Sequence, residues 1–350
     1  MFKVGVCGHF GFKYNLQNGQ TIKTKILTQT LKNILGEKSI TNIDTHDWRK
    51  KPFHLIYLCF SIIKNSKNII ILPASNGINV FVPLFIVLNT IFKKKVFYVV
   101  IGGWLPSFLR SKKFLVYCLR KYNKIFVETK IMQKKLLNLG LNNVAVMPNF
   151  KELIILKTNE IPTSYSVPFK LCTFSRVSKE KGIEDAIDVI KKINSESNAP
   201  IVLLDIYGQI DRNYEDKFNI MLKNLPPYIK YKGIVPFDKS VETLKDYFLL
   251  LFPTYYEGEG FAGSLLDAFA AALPTIASDW HYNSEIINDN KTGKLFKAKD
   301  LTSFKNTLIY YIENPQEVVE MKGNCLEMAE KYMPENAIKI LLDNLELNYD

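Results

Sequence analysis

Short apolar runs alternate along this chain with longer stretches in which apolar residues recur every three or four positions. Lys3–Cys7, Ile40–Asp44, Ile69–Leu72, Val96–Ile101, Ile125–Val127 and Val144–Val146 have the length and character of buried strands. Helical periodicity lies between them, through Ile26, Leu27 and Leu31 and again from Val80 to Phe92. Met147-Pro-Asn-Phe150 closes this half, and the polar, proline-containing segment Lys151–Pro168 reads as a linker. The alternation then restarts. Lys170–Phe174, Ile201–Ile206, Ile229–Lys232, Tyr247–Phe252 and Thr275–Ser278 read as strands. Ile183–Ile193, Ser264–Ala272, Leu301–Tyr311, Val318–Tyr332 and Glu335–Leu347 read as helices, and Asn290–Gly293 as a turn. Strand–helix alternation predicts doubly wound parallel sheets, one in each half.

In such sheets ligands bind at the C-terminal ends of the strands, so the strand-end loops are where chemistry is sought. After Phe252 comes Pro253, then an acidic glycine loop with Glu257, Gly258, Glu259 and Gly260, then a helix entered through Phe261, Ala262, Gly263, Ser264 and Leu265. Amides at a helix N-terminus suit an anion. Glu259 and Asp267, eight positions apart, suit sugar hydroxyls, because a carboxylate repels phosphate. The same residues also fit a Ser264/Asp267 helix cap with Glu259 in solvent. Arg176 and Lys181 lie five apart at a helix entrance, where a planar guanidinium and a point ammonium can grip a diphosphate; a surface basic cluster is the other reading. Tyr207-Gly208 and Gly233-Ile-Val235 end further strands.

In the first half, Gly8-His9-Phe10-Gly11 opens a long loop to Asn18-Gly19-Gln20-Thr21, with Lys23 just beyond. It contains neither GxGxxG nor a Walker sequence, which excludes a simple dinucleotide domain and a P-loop. Gly102-Gly103-Trp104 ends another strand, and Trp104 there either stacks on a sugar or fills core. His9, His46, His54 and His281 are the only histidines.

The 350 residues suffice for two domains. Five scattered cysteines form no CxxC or Cys/His ligand spacing, which argues for a reducing compartment and against structural zinc. No signal peptide precedes the first strand, and no apolar run is long enough to span a bilayer. Charge changes the picture more. Residues 1–150 hold 23 Lys/Arg and 4 Asp/Glu, a balance of +19; the remainder holds 23 and 30, a balance of −7. A one-sided basic domain predicts an anionic partner: nucleic acid, an anionic membrane surface or a phosphate-bearing substrate.

Glu259-Gly-Phe-Ala-Gly-Ser-Leu-Leu-Asp267 after a Pro-ended strand, together with Arg176-x4-Lys181, resembles the signature of the retaining glycosyltransferases of family 4, of bacterial surface-polysaccharide type. Asp267 stands where that family has a second Glu, and Gly-Gly-Trp where many members carry a His that contacts the transferred sugar. The resemblance covers most of the C-terminal half, and the N-terminal half in outline. It implies the GT-B fold, two Rossmann-like doubly wound domains facing a cleft. The expected domains are an acceptor domain over 1–155, a nucleotide-sugar domain over 165–333, and a C-terminal helix over 334–350 crossing back to the first. It further implies Arg176 and Lys181 on the donor phosphates, Glu259 on the sugar, Asp267 on the ribose, and the loop amides of 260–265 on the diphosphate. Tyr207, Gly208 and Val235 would bind the donor, the loop at Val235 holding the base. Gly11, Gly19, Lys23, Gly103, Trp104 and His9 would line the acceptor side. The expected reaction is metal-independent, retaining hexose transfer without a cofactor. A UDP-sugar is favoured over a GDP-sugar, and the acceptor is a glycan on a lipid carrier. The expected location is cytoplasmic, at the inner face of the cell membrane, with no nucleic acid partner. A sugar-nucleotide epimerase and a non-catalytic basic binding protein are the alternatives; the second leaves the paired motifs unexplained.

Overall fold

Six strands form the sheet of the N-terminal unit: β1 (Phe2–Gly8), β2 (Ile40–Asp44), β3 (Ser66–Leu72), β4 (Lys95–Val99), β5 (Lys124–Val127) and β6 (Val144–Val146). All pair in parallel in the order β2-β1-β3-β4-β5-β6. Val4, Val6, Ile69–Leu72 and Val96–Val99 are buried, the near-continuous apolar runs of a sheet covered on both faces. In this computed structural model, residues 1–14 and 19–347 are described. Asn18, in the expected glycine loop, lies outside them.

Two compact units divide the chain: Met1–Glu152 with the tail from Tyr332, and Leu153–Lys331. The tail differs from the single helix expected over Glu335–Leu347. It forms two short helices, Pro334–Ala337 and Lys339–Leu342, separated at Ile338 (φ −87°, ψ 0°). Beyond them the backbone closes on Asn68, a buried residue at the N-terminal end of β3. Asn68 Nδ2 donates to Lys3 O (2.9 Å) and Glu346 O (3.1 Å), and its Oδ1 accepts from Glu346 N (2.9 Å).

The second unit has β7 (Phe169–Phe174), β8 (Val202–Tyr207), β9 (Ile229–Gly233), β10 (Leu249–Phe252), β11 (Thr275–Ser278) and β12 (Gly293–Phe296). They pair in the order β12-β11-β10-β7-β8-β9, also parallel throughout. β12 replaces the end of the expected turn. It is a four-residue edge strand with Lys294 in it, too short and too polar for the pattern to signal. The core packs Phe218, Phe248, Leu251, Phe304 and Tyr311 around the sheet and the helices Ile183–Ser195 and Leu301–Glu313.

Candidate active site

In the second sheet the chain runs from β7 outward through β8 to β9, then returns to lay β10 against the other side of β7. The crevice at such a reversal is the general ligand position of open α/β sheets. The loops after β7 and β10 meet there. Tyr255 N donates to Glu180 O at 2.8 Å. Gly182 makes the approach possible. Its φ is +69°, and a Cβ there would lie 2.2 Å from Pro253 O, so no side chain fits.

That approach brings the cation of one motif onto the acid of the other. Lys181 Nζ lies 2.5 Å from Glu259 Oε2, with the two side chains only 14% and 8% exposed. Thr254 Oγ1 donates to the same oxygen at 2.8 Å. The ammonium also sits over the rings of Phe252 (5.6 Å) and Tyr256 (5.4 Å). Glu259 is therefore not a solvated loop acid. One of its oxygens is anchored by two donors. Arg176 is held loosely by contrast: it is exposed, with its guanidinium 3.6 Å from Asp211 Oδ2.

The helix Gly263–Ala270 begins beside this pair. Ala262 is its N-cap and has no side-chain oxygen for the first amides, and no acid lies in its first turn. Ser264 is inside the helix, so the alternative reading of a Ser264/Asp267 cap does not hold. Gly260 and Phe261 are buried, Ala262, Gly263 and Ser264 half-buried, and Leu265 and Asp267 buried. Asp267 lies one turn in. At the opposite end Lys322, fully buried on the helix Pro315–Lys331, donates to Ala272 O at 2.9 Å. Burial lowers its ammonium to about 8. A cation at the C-terminal end and an N-terminal end with no capping side chain or first-turn acid suit that pole to an anion, with Leu265 N turned to Ala262 O at 3.1 Å.

Other expected donor residues fall at neighbouring strand ends. Gly208 has φ +136°, and a Cβ there would be 1.8 Å from Ser175 O, so it too admits no side chain. Its carbonyl accepts from Tyr231 Oη at 2.8 Å. Tyr207 is buried, its hydroxyl 2.9 Å from that of Tyr247, which donates to Asp205 Oδ2 at 2.6 Å. The Tyr207 ring is thus fixed in a polar chain on the sheet, and only its backbone lies at the strand end. Val235 is half-buried in the loop after β9. Sequence reasoning passed over Thr254, for which the only signal was its place between Pro253 and the acidic loop.

In the first unit, Gly11 (φ +62°) follows β1, and Gly19 starts the helix Gly19–Leu35. Lys23 is neither a surface residue nor open to the loop. It is buried on that helix, with Nζ 2.6 Å from Glu128 Oε1. Glu128 Oε1 also accepts from Gly102 N at 3.3 Å, so the pair ties the helix to two strand ends. Gly103 is buried. Trp104 is half-buried, donates from Nε1 to Ile101 O at 2.9 Å and meets Phe108 edge-on. His9 Nε2 and His46 Nδ1 are 2.9 Å apart. Burial lowers the His9 imidazole below its ordinary value, Asp44 opposing. Burial raises the Asp44 carboxyl, but backbone N–H groups of His46, Phe10, Gly11 and Phe12 outweigh it and hold the group low. Among the described residues no three His, Cys, Asp or Glu cluster as metal ligands would.

The profile of the family "Glycosyl transferases group 1" matches residues 157–331. An uncharacterized glycosyltransferase of Methanocaldococcus jannaschii is 26% identical over 156 residues, 44% of this chain and 39% of that protein. The GtfA subunit of a UDP-N-acetylglucosamine–peptide N-acetylglucosaminyltransferase of Streptococcus gordonii is 25% identical over 174 residues, 47% of this chain and 33% of that one. The matches thus span well under half the length of these relatives. Among solved structures, Anabaena HepE in complex with UDP superposes over 99% of both chains with a TM-score of 0.75 at 13% identity. That likeness gives the fold: two Rossmann-like units of the GT-B type.

Proposed function

The chain belongs to the group 1 glycosyl transferases, and from that premise we propose that it moves a hexose from a UDP-sugar to a hydroxyl of a glycan acceptor with retention at the anomeric carbon. The observation that carries this reading is the Lys181–Glu259 pair just before the helix Gly263–Ala270, whose N-terminus has no side-chain cap. The pair offers positive and negative groups side by side, as a donor with both phosphates and sugar hydroxyls requires.

In this reading the diphosphate lies against the helix amides of 260–265, between Lys181 and Arg176. Lys181 has three N–H donors, and one suffices for Glu259. The charge that grows on the leaving phosphate is met by fixed cations in a partly dry site, where such contacts act most strongly. They carry the charge a metal would otherwise carry. The free oxygen of Glu259 accepts from the sugar hydroxyls, and Asp267 accepts from the ribose. The bond from the anomeric carbon to the phosphate oxygen breaks while the acceptor oxygen bonds to the same face. The acceptor proton passes to the departing phosphate.

UDP as the nucleotide carrier is supported by the UDP bound in HepE and by the UDP-N-acetylglucosamine donor for which the Streptococcus gordonii relative is named. The acceptor is a lipid-linked oligosaccharide in surface polysaccharide assembly, supported by the charge of the first unit. The test is nucleotide release from a panel of UDP-, GDP- and ADP-sugars, with and without chelator. Slow hydrolysis of a UDP-sugar, insensitive to chelator and lost in Glu259→Ala and Arg176→Ala, is expected. Interconversion of two sugar-nucleotides without release would make the chain an epimerase. No release and no thermal shift with any nucleotide would overturn the reading.

A further inference from the structure

From Trp48 to Val127 the chain carries fourteen Lys and Arg residues and not one Asp or Glu. Three helices of this stretch, Pro52–Asn65, Ile78–Phe92 and Lys113–Leu119, lie side by side in the first unit. Each buries one apolar stripe, led by Leu55, Phe85 and Leu115. Each also presents a second apolar stripe outward, where a water-facing helix carries polar residues.

On the first helix Phe53 (85% exposed), Ile56, Tyr57 (65%) and Phe60 follow the i, i+3, i+4, i+7 spacing of a single face. On the second, Val80, Val87 and Ile91 (70%) do the same over three turns. On the third, Phe114 (66%) and Tyr117 stand one turn apart. Phe60 meets Phe92 edge-on at 5.2 Å and joins the first two helices at their ends. Exposed cations frame the face at the helix ends: Lys50 and Lys51, Lys64, Lys93, Lys112 and Lys113, and Lys121.

We propose that this three-helix face docks the protein on a bilayer containing anionic phospholipid. An apolar area of this kind marks an interaction surface. Rings and branched chains framed by lysines match acyl chains beneath a layer of phosphate headgroups. A second copy of the same face is the wrong partner, since it would set cation against cation with no carboxylate between Trp48 and Val127 to offset them. The inference deepens the proposed lipid-linked acceptor, by giving the enzyme a means of reaching it, and is independent of the donor chemistry.

The test is co-sedimentation with vesicles of phosphatidylcholine alone or with about one third phosphatidylglycerol. Binding to the anionic vesicles only is expected, weakening roughly tenfold from low to high salt. Phe53→Ser with Phe114→Ser, and separately Lys112→Glu with Lys113→Glu, should each reduce binding about tenfold at unchanged melting temperature, because these side chains point away from the core. Nucleotide release without vesicles should be the same in all of them. Equal binding to both vesicles, no binding to either, or self-association abolished by the same variants would overturn the proposal. UDP-sugar hydrolysis without vesicle binding would sink the docking face alone. Vesicle binding with neither nucleotide release nor a thermal shift with any nucleotide would sink the transferase reading alone.

Discussion

Lys181 and Glu259 leave different strands, 78 positions apart, and their charged atoms meet at 2.5 Å in the crevice where the second sheet reverses direction. Each is the other's counter-ion, and in the proposed reaction each also meets a different part of the sugar nucleotide.

Removing either charge should be felt in both turnover and folding. Lys181→Met and Glu259→Gln are each expected to lower nucleotide release by about 10²–10³-fold. Lys181→Met, which leaves an inward carboxylate with only the Thr254 hydroxyl, should also cost about 3 kcal/mol of stability. The double variant should be more stable than Lys181→Met, a non-additivity that denaturant melts would show.

Gly182→Ala should disrupt the site without touching a charged residue. Its Cβ would meet the Pro253 carbonyl, so the two loops must part. Nucleotide affinity, followed by calorimetry, is expected to fall at least about tenfold, with roughly 2 kcal/mol lost from the fold.

Asp267 is buried, and it is one methylene shorter than the acid of the motif it resembles. Asp267→Glu should destabilise by about 1–3 kcal/mol through overpacking. Asp267→Asn keeps the volume and loses the charge. It should weaken UDP binding about tenfold and leave turnover at saturating donor nearly unchanged.

Lys322 makes stability depend on pH. Unfolded, a lysine holds its proton to about 10.4; buried against Ala272 O this one is pulled down to about 8. Between those values the unfolded chain binds more protons, so this group makes stability rise with pH. Below them both states are protonated and the whole cost of the buried charge is present. In urea melts at a series of pH values, the difference between wild type and Lys322→Met should shift by about 3 kcal/mol in favour of wild type from about pH 7 to about pH 10.5.

Two parallel sheets were legible in the sequence because their strands are buried on both faces and read as unbroken apolar runs. β12 was not, since a four-residue edge strand containing Lys294 has no such run. The tail was misread as one helix because apolar spacing continues through Ile338 while the backbone turns there. The basic and acidic motifs were legible as motifs. That they join each other was not, because the contact depends on which strands are neighbours, and strand order is not written in local spacing. Lys23 shows the same limit. Its partner Glu128 lies 105 positions away, so a lysine near a glycine loop gave no sign of burial.

Asn68 holds Lys3 on one side and Glu346 on the other. During synthesis the first sheet leaves the ribosome long before Glu346 does, and the whole second unit is made in between. Until then the amide of Asn68 lacks the Glu346 backbone, and the first unit must wait for the segment after Tyr332 to close the N-terminal end of β3. A nascent chain halted at Lys331 would carry a complete second unit and an unsealed first unit, so completion of the two follows the reverse of their order of birth.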